Sequence, residues 1–127
     1  MNNKEYNGWT NYETWNVALW IDNEEPSHLY WREAADDAWR NASEGLSAYA
    51  KFTGKEIFSR KERAVLELEK RLKAEIEEQA PDLGASMWAD LLGAALSEVN
   101  WHEIAGNMID TAESNAPVEE TATEDSK

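Results

Sequence analysis

The residue types that most often carry enzyme chemistry are few in this sequence, and their spacing assembles no catalytic site. The two histidines, His28 and His102, each stand at a predicted helix start, and no serine lies in a nucleophile-elbow pattern. The six glycines form neither a phosphate-binding loop nor a dinucleotide fingerprint. Because the chain has no cysteine, thiolate chemistry and disulfide bonds are excluded. The sequence therefore predicts a protein that is not an enzyme and uses no cofactor.

Two groups of side chains carry atoms that could bind a metal, but neither pattern favours a metal site. His102 and Glu103 are adjacent, and neighbouring side chains on a helix point about 100° apart, so these two do not converge. A second group shares one helix face and offers oxygen ligands for a hard cation. Its members are Glu33, Asp36, Asp37 and Arg40. A hydrated helix face is the commoner role of such a cluster, so no metal is predicted.

Acidic residues dominate the charge of the chain, above all in its second half. Lys and Arg total 12 and Asp and Glu total 26, which gives a formal net charge of −14. No Lys or Arg occurs from Ala74 to Ser126, where thirteen carboxylates fall. This charge argues against nucleic-acid binding through a broad basic face and favours attraction to basic protein surfaces. Solubility is the alternative explanation of the acidity.

The hydrophobic pattern predicts an all-α fold, a compact bundle of four or five helices with a disordered acidic C-terminal tail. Apolar residues recur at helical spacing, and no segment alternates as a strand does. Residues 1–9 are predicted as a flexible N-terminus, 10–113 as a single domain and 114–127 as the tail. No apolar run approaches the ~20 residues of a membrane span, and no signal peptide is recognised, so a cytoplasmic protein is expected.

Caps and helix breakers place the individual helices. Thr10, followed by Glu13, fits the N-cap of the first helix, with Asn11 as an alternative. A second helix is expected from Pro26 to about Ala42, followed by a less certain short helix that ends at Gly54. Further helices are expected over 59–79, from 83 or 86 to 99, and from Asn100 onward.

Inward-facing side chains follow from helical spacing. The second helix has an inner stripe of Trp31, Ala34, Ala35, Ala38 and Ala42. The helix before Asn100 is predicted to turn inward Met87, Trp88, Leu91, Leu92, Ala95, Leu96 and Val99. The first helix is apolar nearly all round, which indicates either a central position in the core or a second face for a partner.

Tryptophan is unusually frequent. The chain has seven, and five of them fall in the first third, together with three tyrosines. Large rings packed in the core are the simplest explanation. A partner-binding surface is the alternative, because Trp and Tyr are enriched at binding hot spots. Stacking on nucleic-acid bases is disfavoured by the lack of surrounding cations.

The stretch from Asn7 to Asn23, NGWTNYETWNVALWIDN, resembles the N-terminal motif of a family of small uncharacterised proteins encoded by phages, plasmids and bacteria. The resemblance implies the genomic setting of a mobile element's accessory protein. It implies no substrate, cofactor or active residue.

Small size, acidity and this resemblance favour a non-catalytic protein that binds and inhibits a host protein with a basic surface. One mechanism is mimicry of DNA, although Asp82, Asp90 and Glu98 wind around their helix instead of lining one face. The alternative is a structural or regulatory module that binds through its aromatic N-terminal region. The candidate binding residues are Glu75, Glu77, Glu78, Asp82, Glu103, Asp110, Glu113, Trp9, Tyr12, Trp15 and Trp20. Neither direct nucleic-acid binding nor membrane binding is expected, and the chain is predicted to be a monomer or a homodimer.

Overall fold

The computed structural model describes residues 6–53 and 59–116, and over 43–53 it describes the backbone alone. The helices are α1 (Tyr12–Asn23), α2 (Glu25–Thr53), α3 (Arg60–Glu78), α4 (Met87–Ser97) and α5 (Trp101–Asn115). The described residues form no strand, and one isolated β-bridge joins Tyr6 to Trp9. The predicted all-α fold is thereby confirmed. Most of the predicted tail, residues 117–127, lies outside the described residues. Helix α5 continues to Asn115, past the predicted start of the tail at Ser114.

The centre of the domain is formed by α2, α3 and α5, each of which packs against the other two. Leu68 and Leu72 from α3 and Ile104 and Ile109 from α5 are almost completely buried. The inner stripe predicted for α2 is confirmed, and its buried residues are Trp31, Ala34, Ala35, Ala38 and Ala42. The four alanines carry little side-chain volume, which lets the backbones of neighbouring helices approach closely.

The boundaries of α2 and α3 show where local signals suffice. Ser59 and Glu62 form a reciprocal capping box at the start of α3, as their spacing predicts. The predicted break after Ala42 was wrong, since α2 runs on without interruption to Thr53. The residues after Ala42 include Gly45, but one glycine costs a helix only about 1 kcal/mol, which packing elsewhere along the helix offsets.

Helix α1 lies against the side of the core, where it packs on α2 and α5. Its N-cap is Asn11, the alternative to Thr10, and the Asn11 side chain accepts a hydrogen bond from the Thr14 backbone N–H at 2.9 Å. Only Thr14, Ala18 and Ile21 are buried. A central position of α1 in the core is therefore excluded. Its aromatic side chains Tyr12 and Trp20 are exposed, and Trp15 is half-buried.

The start of α1 is tied to the junction between α4 and α5. The fully buried hydroxyl of Thr14 accepts a hydrogen bond from the backbone N–H of Asn100, at 2.8 Å. Asn11 uses its amide nitrogen to donate to the carbonyl oxygen of Glu98, also at 2.8 Å. The first bond pairs a buried hydroxyl that would otherwise lack a partner, whereas the bond from Asn11 to Glu98 is exposed to solvent.

The carboxylate of Glu103 also belongs to this junction. Asn100 caps α5 by accepting from the Glu103 backbone N–H at 3.0 Å. The Glu103 side chain, however, accepts from the backbone N–H of Thr10 at 3.1 Å instead of completing a capping box. Glu103 is half-buried against the segment before α1, whereas Asp110 and Glu113 lie on the exposed face of α5.

We expect Thr14→Val to lower the free energy of unfolding by about 1–3 kcal/mol, because it leaves the Asn100 N–H without its acceptor at nearly constant side-chain volume. Thr111→Val is the matched control, since Thr111 is exposed and should change stability by less than about 0.5 kcal/mol. Urea denaturation followed by circular dichroism measures both effects. Equal stability of the two variants would contradict the role given to this hydrogen bond.

We also expect the two tryptophans Trp31 and Trp15 to differ in their contributions. Trp31 is buried in the central stripe of α2, so Trp31→Ala should cost about 3–5 kcal/mol. Trp15 lies outside the buried core in an edge cluster of rings, so Trp15→Ala should cost less, about 1–2 kcal/mol from its ring contacts. Thermal and urea denaturation distinguish these values. A loss of stability for Trp15→Ala as large as that for Trp31→Ala would contradict the position of α1 at the side of the core.

Candidate protein-binding surface

Helix α4 is apolar, yet the domain leaves much of it uncovered. Ser86 caps the helix by accepting from the Ala89 backbone N–H at 3.1 Å, and no residue between Met87 and Ser97 is buried. The exposed fractions of Met87, Trp88 and Leu91 are 60%, 62% and 55%. The prediction that these three side chains face inward was wrong. The domain itself provides no cover for this apolar face.

The half-buried residues of α4 share one side of the helix. They are Ala89, Leu92, Ala95 and Leu96, and Leu96 packs against the core. At 100° per residue, Met87, Leu91 and Ala94 fall within about 60° of one another on the other side. Trp88 points between the directions of Leu92 and Ala95 but is 62% exposed. We call these four residues, Met87, Trp88, Leu91 and Ala94, the α4 stripe.

The charged residues nearest the α4 stripe in sequence are all negative. Asp90 lies beside it on α4, Asp82 precedes the helix, and Glu98 follows its last turn. The nearest Lys or Arg before it in sequence is Lys73, and the described chain after it contains neither residue type. A partner that covers the stripe therefore meets an apolar ridge with acids at its edges.

A cluster of three aromatic rings lies at the start of α1. Asn7 and Gly8 both have positive φ values, 49° and 91°, the pattern of a type I′ turn. This turn folds Tyr6 back beside Trp9, with backbone hydrogen bonds of 2.9 and 2.8 Å. The Tyr6 ring consequently lies 5.3 Å from that of Tyr12 and 5.1 Å from that of Trp15, between centroids.

This cluster stands at the same end of α1 as the junction with α4. Tyr6 and Tyr12 are exposed, while Trp15 is half-buried between them and the domain. Asn11, directly before Tyr12, donates its hydrogen bond to the Glu98 carbonyl at the end of α4. The structure therefore brings two of the predicted aromatic residues, Tyr12 and Trp15, together and fixes their helix to the C-terminal end of α4.

The other predicted aromatic residues lie elsewhere. Trp9 is half-buried and packs against the core. Trp20 is exposed and lines an open groove of about 610 Å³ between α1, α2 and α3, together with Tyr30 and Glu75. The four predicted aromatic residues thus occupy three separate environments.

Glu75 and Glu77, two of the predicted binding acids, are engaged within the domain. The Glu75 carboxylate accepts from the Tyr30 hydroxyl at 2.7 Å and from Arg71 Nε at 2.9 Å. Arg71 also donates to the Tyr30 oxygen at 2.9 Å, which closes a three-residue network. Glu77 pairs with Lys73 at 3.0 Å. The Tyr30 hydroxyl and then Arg71 favour the charged form of Glu75 and lower the pKa of its carboxyl.

The cations of α3 differ from prediction in their partners. The sequence suggests pairs of Arg71 with Glu67 and of Lys73 with Glu69, but both cations bind acids one turn toward the C-terminus. Glu69 instead lies 2.9 Å from Nδ1 of His102. Acids in the last turn of a helix oppose its dipole, and the pairs with Arg71 and Lys73 offset this repulsion for Glu75 and Glu77.

The remaining predicted acids are spread over several surfaces. Asp110 on α5 forms an ion pair with Lys61. Asp82 accepts a hydrogen bond from the backbone N–H of Gly84 at 3.0 Å, in the loop before α4. Glu78 and Glu113 are exposed at the ends of α3 and α5. The eleven predicted residues therefore do not form one continuous site.

A partly open cavity of about 260 Å³ lies between α1, α2 and α5, with Trp9 and Trp31 among its walls. His28 and Asp22 stand at its edge, with 3.6 Å between Nδ1 and Oδ1. Among the described residues that line it, none is a serine.

Over the described part of the chain, no three His, Asp or Glu side chains are grouped as metal ligands would be. Arg40 pairs with Asp37 within the acidic cluster of α2.

Sequence reasoning missed the α4 stripe and the Asn7-Gly8 turn, although each leaves a signal. The helix from Met87 to Ser97 has one charged residue, Asp90, and is apolar around most of its circumference. That pattern is typical of a helix with two covered faces, and an unpartnered face is its alternative. Asn-Gly is the dipeptide most typical of a type I′ turn.

We expect Tyr30→Phe to raise the pKa of the Glu75 carboxyl toward its ordinary value of 4.5, because the first of its two donors is lost. A carboxyl with a lowered pKa stabilises the fold above the unfolded value and loses that contribution as pH falls through the folded pKa. Glu75→Gln should therefore reduce stability most at neutral pH, with a smaller difference below pH 4. Carbon-detected NMR titration measures the pKa, and urea denaturation at both pH values measures stability.

Glu78→Gln is the control for this titration experiment, since Glu78 is exposed and makes no described hydrogen bond or ion pair. It should change stability by less than about 0.5 kcal/mol at either pH. An unchanged Glu75 pKa in Tyr30→Phe would show that the network does not form in solution.

Comparison with known proteins adds a family and no biochemical precedent. No curated protein and no solved structure matches the chain. None of the described helices combines the length and the apolar content that crossing a lipid bilayer requires. One family model matches residues 2–125, nearly the whole sequence and well beyond the N-terminal motif. The chain therefore belongs to a family of unknown function, DUF7249.

Proposed function

We propose that this chain acts by binding another protein, without catalysis of its own, and that the partner presents a basic surface. In the setting of a mobile element, it would inhibit a host protein that handles nucleic acid or takes part in defence. The observation that carries the proposal is the exposed α4 stripe, whose neighbouring charges are all negative. Exposed apolar patches with a polar rim are typical of protein-binding surfaces.

Of the two mechanisms, contact through the apolar surface has more support than mimicry of DNA. Mimicry needs carboxylates that are free and spaced like phosphates, about one charge per 1.7 Å of duplex axis. Glu75, Glu77 and Asp110 are instead paired with cations of this chain. The carboxylates left at the α4 stripe, by contrast, have no cation beside them in the sequence. They suit steering and specificity around an apolar contact.

The aromatic alternative supports the same conclusion from a neighbouring surface. Tyr6 and Tyr12 are exposed, and their helix is held to the end of α4 by Asn11. Tyrosine contributes large contact area with little loss of conformational entropy on binding. The aromatic cluster would therefore extend the contact beyond Glu98, on the side where α1 begins.

The proposal predicts capture of a basic host protein in a way that depends on salt and on the acids beside α4. The test variant reverses Asp90 and Glu98 to Lys, and the control reverses Glu33 and Glu67, which are exposed on α2 and α3. Each pair of reversals changes net charge from −14 to −10, so the variants differ only in where the charge is lost. Affinity capture from host lysate at low and high salt, followed by mass spectrometry, identifies the bound protein.

We expect the parent and the control variant to retain a basic protein at low salt and release it at high salt. The Asp90 and Glu98 variant should lose that protein at both salt concentrations. Equal capture by the two variants would contradict a role for the acids beside α4. If a partner stays bound to the parent at high salt but is not captured by Tyr12→Ala, binding is assigned to the aromatic cluster alone.

A further inference from the structure

Resting on the proposed function, we propose that the α4 stripe docks an amphipathic helix of the partner, with apolar side chains on one face and Lys or Arg at its edges. The occupant is inferred from three features of the described chain. These are the spacing of the exposed side chains, the sign of the surrounding charges and the preformed state of α4.

The spacing of the stripe matches the contact surface between two helices. Met87, Leu91 and Ala94 stand at positions i, i+4 and i+7, the rows from which helix ridges are built. Ala94 is small and exposed, which allows close approach at the C-terminal half of the stripe. With a rise of about 1.5 Å per residue, the eleven residues of α4 span roughly 16 Å, or three turns of a facing helix.

The charges around the stripe define the edges of that facing helix. By helical spacing, Asp90 lies about 40° from Ala94, at the edge of the stripe opposite Leu91, and Glu98 stands one turn after Ala94 in line with the stripe. Partner residues at the two edges of the facing helix's apolar side would lie close to these carboxylates. Lys or Arg at those positions forms favourable pairs, whereas Glu or Asp there faces like charge.

The same charges disfavour the other occupants. A second copy would place Asp82, Asp90 and Glu98 against their equals, between two chains of net charge −14. The chain's own residues 117–127 contain four acids and a single Lys, and thus oppose the same surface. An anionic membrane surface repels acidic edges, because such surfaces attract Lys and Arg.

Helix α4 is already formed in the described chain and is held at both ends. Ser86 caps its first turn, Leu96 packs on the core, and the carbonyl of Glu98 is held by Asn11. The entropic cost of binding therefore falls mainly on the incoming helix. If Met87, Trp88 and Leu91 each expose on the order of 100 Å², they offer roughly 300 Å² of the about 800 Å² that a standard interface buries on each partner, so a weak complex is expected.

Two synthetic helical peptides test this inference directly. Both carry the same leucine stripe over about 18 residues, and they differ only at the flanking positions, which are Lys in one and Glu in the other. We expect the Lys peptide to bind the full chain and the Glu peptide to bind at least tenfold more weakly. Amide shifts of the ¹⁵N-labelled chain should be largest at Asp90, Gly93 and Ala94.

Substitutions on α4 and on a matched exposed position separate docking from general attraction between opposite charges. Leu91→Gln should weaken the Lys peptide about tenfold without a change in the thermal midpoint, since Leu91 supports no buried contact. Leu29→Gln is the control, because Leu29 is 52% exposed on α2, and its affinity should equal the parent's. Asp90→Lys should reverse the preference toward the Glu peptide.

Four results would overturn the α4 assignment, three of them obtained with the purified chain. The first is equal binding of the Lys peptide by the parent and Leu91→Gln, and the second is amide shifts confined to α3. The third is a dimer in sedimentation equilibrium that Leu91→Gln dissociates, which would make a second copy the occupant. Salt-sensitive capture of a basic host protein that persists in Leu91→Gln would refute helix docking on α4 and leave the proposed function standing. Absence of any captured protein, with the Lys peptide bound at α4, would refute the proposed function alone.

Discussion

The hydrogen bond from the Asn100 backbone to the buried Thr14 hydroxyl connects two parts of the chain that are distant in sequence. Asn100 also caps α5, so the same residue begins a central helix and donates a hydrogen bond to Thr14 of α1. Thr10 and Asn11 add bonds to Glu103 and Glu98 on either side of it. Because the Thr14 hydroxyl is fully buried, its bond stabilises the fold chiefly by preventing an unpaired donor at Asn100, whereas the exposed bond of Asn11 contributes less.

This junction explains how α4 is held at its ends although one of its faces is exposed to solvent. Its first turn is capped by Ser86, and its last turn leads into buried Val99 and the bonded Asn100. One side, including Leu96, rests on the core, while the α4 stripe faces outward. The chain thus presents an apolar ridge that is held at its two ends, a property that suits a binding surface more than a structural element.

The acidity of the protein has two different roles in the structure. On α3, the carboxylates of Glu75 and Glu77 stabilise the last turn by pairing with Arg71 and Lys73. Beside α4, Asp90 and Glu98 have no cation of the chain nearby in sequence. Net charge alone does not distinguish these roles, since both sets count equally toward −14. Only the second set is available to select a partner by charge.

The sequence by itself determined what depends on neighbours along the chain. Helical spacing established the all-α fold and the buried stripe of α2, and the spacing of Ser59 and Glu62 established the capping box of α3. These features rely on contacts within one or two helical turns, which periodicity describes directly.

Tertiary structure alone decided which faces are covered and where long side chains reach. Periodicity groups Met87 with Leu91, yet it does not state whether that group meets the core or solvent. Likewise, Glu103 has the right spacing for a capping box, but its carboxylate reaches the Thr10 N–H, 93 residues away in sequence. The physical reason is the same in both cases: burial and hydrogen-bond partners are set by the three-dimensional arrangement of helices, which local patterns constrain without specifying.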